Sequence, residues 1–154
     1  MDIKIRPASL SDLDELIHWR IEALREVFSL PDGDANAALQ QASLDYYRAE
    51  LAARRHIACF AEQAGAVIGC GGLCLHAELP SPDNPSGKCC YLMNIYTQPE
   101  SRRKGAGAAV VTWLTAQAER RGVGKLYLET TEDGRALYRQ LGFSDMIDYM
   151  IKTR

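Results

Sequence analysis

The chain has little of what would make it a metal protein, a membrane protein or a nucleic-acid binder. None of its five cysteines (Cys59, Cys70, Cys74, Cys89, Cys90) forms a Cys-x-x-Cys pair, and His18, His56 and His76 stand at no ligand spacing. A zinc site, which wants closely paired Cys and His, is therefore not expected. The thiols read as buried, reduced small hydrophobes, and disulfides are not expected. No apolar run approaches the roughly 20 residues of a membrane span. Met1 to Ile5 lacks the apolar stretch of a secretory leader, so a cytoplasmic location is the expectation. The formal net charge of −2 supplies no global field for nucleic acid or anionic lipid. Any cation cluster is then a local feature.

What remains is 154 residues, 47% apolar and 25% charged, the composition of an ordinary globular chain. That length suits one domain, 1–154, with a proper core. Asp2 to Arg6 alternates as a strand ended by Pro7, and Ser11 offers a helix N-cap. Leu13, Leu16, Ile17, Ile21, Leu24 and Phe28 then share one helical face. Pro31 to Asp34 breaks that pattern, and a second helix follows from about Asn36 to Arg54. Strands are predicted over Ile57–Glu62, Ala66–His76 and Cys89–Thr97, with a proline-bearing loop from Leu79 to Lys88. The remainder reads as a helix (Gly105–Arg121), a strand (Lys125–Thr130), a short helix (Gly134–Leu141, with Asp133 as its cap) and a last strand (Ser144–Lys152). The middle strands form an antiparallel meander. The crossover helix makes the strands at about 89–97 and 125–130 parallel. The fold class is α/β: one mixed, mostly antiparallel sheet flanked by helices.

The most informative stretch joins the strand ending at Thr97 to the helix starting near Ala106: Thr-Gln-Pro-Glu-Ser-Arg-Arg-Lys-Gly-Ala-Gly-Ala. A helix opening here presents free N–H groups with the positive end of the dipole behind them. That suits a phosphate or pyrophosphate. Gly105 and Gly107 let the main chain come close, and Arg102, Arg103 and Lys104 add charge at the rim. A P-loop is excluded, because no Lys-Ser or Lys-Thr follows the glycines. A dinucleotide fingerprint fails as well. Val110 stands where its third glycine belongs, and only about 50 residues remain for a full doubly wound sheet.

The pattern Thr97-x-Pro99-x-x-Arg102-x-x-Gly105-Ala106-Gly107, followed by Leu137-Tyr138-x-x-x-Gly142-Phe143, resembles the two signatures of the GNAT superfamily of acyl-CoA N-acyltransferases. The resemblance covers essentially the whole chain. It implies a GNAT-like domain whose sheet splays at the parallel strand pair, with acetyl-CoA as cosubstrate. It also implies direct transfer of the acetyl group to a primary amine, on a small molecule or a peptide, within a ternary complex. By the same resemblance the backbone of Arg103, Lys104, Gly105, Ala106, Gly107 and Ala108 would cradle the pyrophosphate, assisted by the Arg102 and Arg103 side chains. The pantetheine would lie along Ile95, Tyr96 and Thr97, with the Ile95 N–H polarising the thioester carbonyl. Tyr138 matches the family tyrosine that serves as general acid to the CoA sulfur. Its packed alternative is a core tyrosine.

The sequence departs from the family in two places. The last helix lacks the early Asn that many members use on the cofactor, and the strand before the loop has no carboxylate between Cys89 and Gln98. Asn94 can orient a water or the substrate but cannot act as a base. His76, Glu129 and Glu22 are the candidate bases. Asp32 and Asp34 in the loop between the first helices could steer a cationic acceptor. A thiol intermediate at Cys89 or Cys90 is discounted, since neighbours in a strand face opposite sides. The rival readings are a CoA-binding sensor without catalysis and an interaction protein without cofactor. Members are often dimers, which admits a homodimer here. No metal, nucleic acid or membrane partner is expected.

Overall fold

The computed structural model describes residues 2–30 and 36–154. The break at Pro31 to Asp34, and with it Asp32 and Asp34, lies outside them. Five strands form one sheet in sequence order: β1 (Ile3–Pro7), β2 (His56–Gln63), β3 (Ala66–Ala77), β4 (Lys88–Thr97) and β5 (Lys125–Leu128). The first four pair antiparallel, while β4 and β5 are parallel, as the crossover between them requires. Helices α1 (Leu13–Phe28) and α2 (Ala37–Ala52) precede β2, α3 (Ala106–Arg120) makes the crossover, and α4 (Glu132–Gln140) follows β5. Among the described residues, no helix is long and apolar enough to cross a membrane.

Each face of the sheet has its own core. On one, Val110, Val111, Leu114 and Ala118 of α3 pack on Cys59, Leu73, Cys90 and Leu92. On the other, Leu16 and Trp19 of α1 and Tyr47 of α2 cover Ala58, Phe60 and Cys70. A Cβ on Gly71 would lie 2.3 Å from Val110 Cγ1, so only glycine lets α3 sit this close to β3. The helical stripe read from the sequence meets the core at Leu16, Ile21 and Leu24, whereas Phe28 is exposed and Trp19 joins the core.

Two local expectations are corrected. Ser11 does not cap α1. Ser9 and Asp12 form a capping box around a preceding single turn (Leu10–Asp12), and α1 continues from it. The cap of α4 is Thr131 rather than Asp133, without a side-chain hydrogen bond.

The larger correction concerns the C-terminus, because Ser144–Lys152 forms no strand. Its apolar residues come as neighbours (Met146-Ile147, Tyr149-Met150-Ile151) and would fall on both faces of a strand, so no register buries them together. Asp145 is held instead by Arg135 and Arg139 of α4. The four-residue β5 is left as the sheet edge, and a gap of about 900 Å³ opens between it, α4 and the tail. No residue of the glycine loop lines that gap.

His56 is buried beneath α2. Its Nδ1 lies 2.9 Å from the Tyr46 hydroxyl, and its ring meets Tyr46 and Tyr47 edge-on. Burial pushes the imidazole down to about 4. The unfolded chain, with a value near ~6.5, then binds a proton that the folded state refuses. Stability is undiminished above that pH and falls between about 6.5 and 4. His56→Gln should therefore lose less Tm than the wild type on acidification from roughly pH 7 to 5. Equal losses in parallel thermal melts would assign the acid sensitivity to other groups.

Candidate active site at the β4–β5 separation

The site begins with a mismatch in the sheet. Cys70 pairs with Tyr96 and Gly72 with Met93, so Gly71 alone faces both Asn94 and Ile95. The extra residue makes a β-bulge, and Asn94 adopts φ 59 to form it. Asn is among the few non-glycine residues that tolerate this left-handed conformation. Its side chain is engaged: Arg20 Nη1 of α1 donates to Asn94 Oδ1 at 3.2 Å, and the Cys70 thiol donates to the Asn94 carbonyl at 3.3 Å. Pairing between β4 and β5 runs only from Cys89↔Lys125 to Leu92↔Leu128. Beyond Leu92, the stretch through Ile95, Tyr96 and Thr97 has no strand on its β5 side. The bulge and the separation coincide, and together they leave a slot beside β4.

The slot leads to the glycine loop. A single turn at Pro99–Ser101 is followed by Arg103 at φ 64 and Gly105 at φ 93, after which α3 starts. No side chain caps α3. At its start Ala109 N donates to Gly105 O at 3.0 Å, so the amides of Ala106, Gly107 and Ala108 precede the helical ladder. Open space surrounds Gly105, with nothing within 4 Å of where a Cβ would stand. Gly107 is small for another reason: a Cβ there would lie 3.2 Å from Leu137 Cδ2 of α4.

The three cations divide their tasks. Arg102 Nε donates to Thr97 O at 2.8 Å, and its Nη2 holds both oxygens of Glu26 at 2.6 and 2.7 Å. Its guanidinium also lies over Tyr96. Arg102 thus ties the end of β4 to α1, and its side chain is committed to protein groups. Lys104 reaches the Glu100 carbonyl at 3.3 Å. The exposed Arg103 has no side-chain partner among the described residues.

Tyr138 packs against the core cluster that contains Ala106, Ile95 and Leu128, with its ring edge-on to Phe143. Its neighbour Leu137 touches down at Gly107, so α4 brings the phenol to the start of α3 and the separated strands. Burial pushes the phenol up to about 12. Glu129 follows β5 directly, one step beyond Leu128, and its charge helps burial raise the Tyr91 phenol on β4. His76 is elsewhere. It pairs with Cys89 at the far end of β4, about 16 Å along the strand from Asn94. Glu22 bonds Arg25 at 3.3 Å on α1. Leu137 thus sets α4 beside the start of α3, Tyr138 and Glu129 both line the gap beside β5, Asn94 is held on the α1 side, and His76 lies at the far end of β4. Cys90 lies in the α3-side core, while Cys89 faces the other way beside Asn84, and burial raises both thiols. Sequence reading missed Arg20 and Glu26 because nothing in a helical pattern marks which charges meet a strand some 75 residues away.

The Arg102–Glu26 pair is partly exposed, so Glu26→Gln should cost about 1 kcal/mol or less in global stability. It should nevertheless speed amide hydrogen exchange at residues 98–104. Unchanged exchange there would deny the pair its tethering role.

The family model of the Acetyltransferase (GNAT) family matches residues 13–143. An uncharacterized N-acetyltransferase of Escherichia coli (strain K12), YjgM, is 34% identical over 93 residues, or 58% of this chain and 52% of that protein. The chain spans about half the length of that curated relative. A GCN5-related N-acetyltransferase from Ralstonia eutropha JMP134 superposes with a TM-score of 0.84 at 27% identity, covering 99% of each chain. A predicted acetyltransferase from Clostridium acetobutylicum, solved with acetyl-CoA, superposes with a TM-score of 0.88 at 24% identity over 99% of this chain and 96% of that one. At that identity the second likeness speaks for the fold.

Proposed function

The chain belongs to the GNAT acetyltransferase family, and we propose that it transfers the acetyl group of acetyl-CoA to a primary amine by direct attack in a ternary complex. The observation that carries this reading is the uncapped start of α3 following the end of β4 that lacks a β5 partner. The amides of Ala106, Gly107 and Ala108, the open space at Gly105 and the unpartnered Arg103 suit a pyrophosphate. Arg102 acts indirectly, by fixing the end of β4. The stretch Ile95–Thr97, with no strand on its β5 side, suits the amide groups of a pantetheine arm, with the Ile95 N–H as oxyanion donor. Bound there, acetyl-CoA supplies the activated thioester carbonyl.

The chain's residues then divide the proton work. A lysine-like ammonium, with a pKa near ~10, must lose a proton before it attacks. Glu129, one step past the end of β5 and beside Tyr91, suits that base, directly or through a water. His76 is too far along the sheet for the same task. Tyr138 has no hydrogen-bond partner among the described residues, and its phenol stays protonated throughout an ordinary assay range. It is available to donate to the departing thiolate. Asn94 positions the bulge through Arg20 and Cys70. A CoA sensor without turnover remains the contrasting reading, and it predicts binding without acetyl transfer to any amine.

Calorimetry with acetyl-CoA separates these. Wild type should bind in the micromolar range, and the double charge reversal Arg103→Glu, Lys104→Glu at exposed positions should weaken binding by about tenfold or more. No binding by folded wild type would remove the acetyltransferase reading.

Once an acceptor is found, Tyr138→Phe should lower kcat on the order of 10²-fold. The alkaline limb of the wild-type rate profile should not belong to Tyr138, because its phenol titrates at about 12. Undiminished single-turnover rates in Tyr138→Phe would reduce the residue to packing.

A further inference from the structure

At the end of the sheet away from the glycine loop, the structure gathers a set of side chains that acetyl transfer does not use. His76 and Cys89 are direct cross-strand partners on β3 and β4, and Glu78 follows just beyond β3. The His76 ring nitrogen, a Glu78 oxygen and Cys89 Sγ all lie within 4.8 Å of one another. We propose that His76, Glu78 and Cys89 form a three-ligand zinc site whose fourth position is open to solvent.

The donor chemistry points to zinc. One imidazole nitrogen, one thiolate and one carboxylate make a mixed N, S, O set that zinc accepts tetrahedrally, and hard cations such as magnesium or calcium do not favour thiolate. Tetrahedral donors around zinc stand roughly 3.3–3.8 Å apart. His76 Nε2 and Glu78 Oε2 are already 3.2 Å apart, and what remains is the approach of these two partly exposed side chains to Cys89 Sγ from within 4.8 Å. Cys89 is 1% exposed and fixed in the strand, the rigid member against which the others close.

The surrounding groups act as a supporting shell. Lys125 Nζ holds Glu78 Oε1 at 3.0 Å and leaves Oε2 for the metal. Asn84, 6% exposed, aims its Nδ2 at Cys89 Sγ at 3.5 Å and at Lys88 O at 3.1 Å, a donor suited to a thiolate. The Tyr127 hydroxyl lies 3.4 Å from His76 Nε2. Without metal, the Cys89 thiol donates to Gly87 O at 3.5 Å. On binding, that proton leaves to solvent and the thiolate coordinates the ion. At about 16 Å along β4 from the bulge, the metal would act as a clip across the β3–β4 hairpin rather than on the acetyl group. The proposal is independent of the acetyltransferase reading.

Cobalt(II) tests the site, because a Co–thiolate bond adds a near-ultraviolet charge-transfer band that nitrogen and oxygen ligands do not give. Titration of the reduced wild-type protein should produce that band at one equivalent, and zinc should abolish it by displacement. Cys89→Ser should lose the band, whereas Cys74→Ser should keep it. His76→Gln and Glu78→Gln, at accessible positions, should each weaken binding by about tenfold or more. Zinc should raise the Tm of wild type but not of His76→Gln. If Cys89→Ser fails to fold, the His76 and Glu78 variants decide. Absence of the band in wild type, its survival in folded Cys89→Ser, or unchanged affinity in both other variants would overturn the proposal.

Discussion

The functional half of this protein depends on one mismatch in strand pairing, where Gly71 stands opposite both Asn94 and Ile95. The bulge comes just after the last β4–β5 pair, Leu92↔Leu128, where β5 itself ends. A sheet normally hides its backbone polar groups inside its ladders. Here a stretch of interior strand keeps one side free, which is what an amide-bearing ligand needs. The constraint is enforced from both faces. Val110 fills the space left by Gly71 on the α3 side, and Arg20 and Cys70 grip Asn94 on the α1 side.

The same layering explains how the glycine loop is aimed. Arg102 is the residue that the motif offers most readily as a phosphate ligand, yet its guanidinium is spent on Thr97 and Glu26. The positive charge at the mouth falls to Arg103 and Lys104 and, above all, to the unladdered amides of α3. A backbone site of this kind is set by helix geometry and not by rotamers, so it costs little ordering when an anion arrives. Gly107 shows that a motif glycine can serve packing: it admits Leu137, and with that contact α4 delivers Tyr138.

Thiol chemistry follows from which face of the sheet each sulfur takes. Cys90 is sealed in the α3-side core, and Cys89 looks into a polar cluster with His76 and Glu78. Two adjacent cysteines thus have unrelated environments, a direct result of the two-residue period of a strand.

Local pattern alone determined the element order as far as α4, the antiparallel meander with its one parallel pair, the α3 stripe and the position of the glycine loop. Each rests on neighbours within a few residues: hydrophobic period, glycine, proline and the rule for crossover connections. The last strand was misread because β-rich composition is not alternation, and residues 146–151 place apolar side chains on both faces. Tertiary structure decided the rest. It set Glu129 beside Tyr91, gave Arg102 to Glu26, made Asn94 a bulge residue, and set His76 beside Cys89 across a hairpin. These are encounters between distant segments whose register depends on a bulge. A one-residue shift in pairing reverses which face a side chain takes, and no spacing along the chain records that choice.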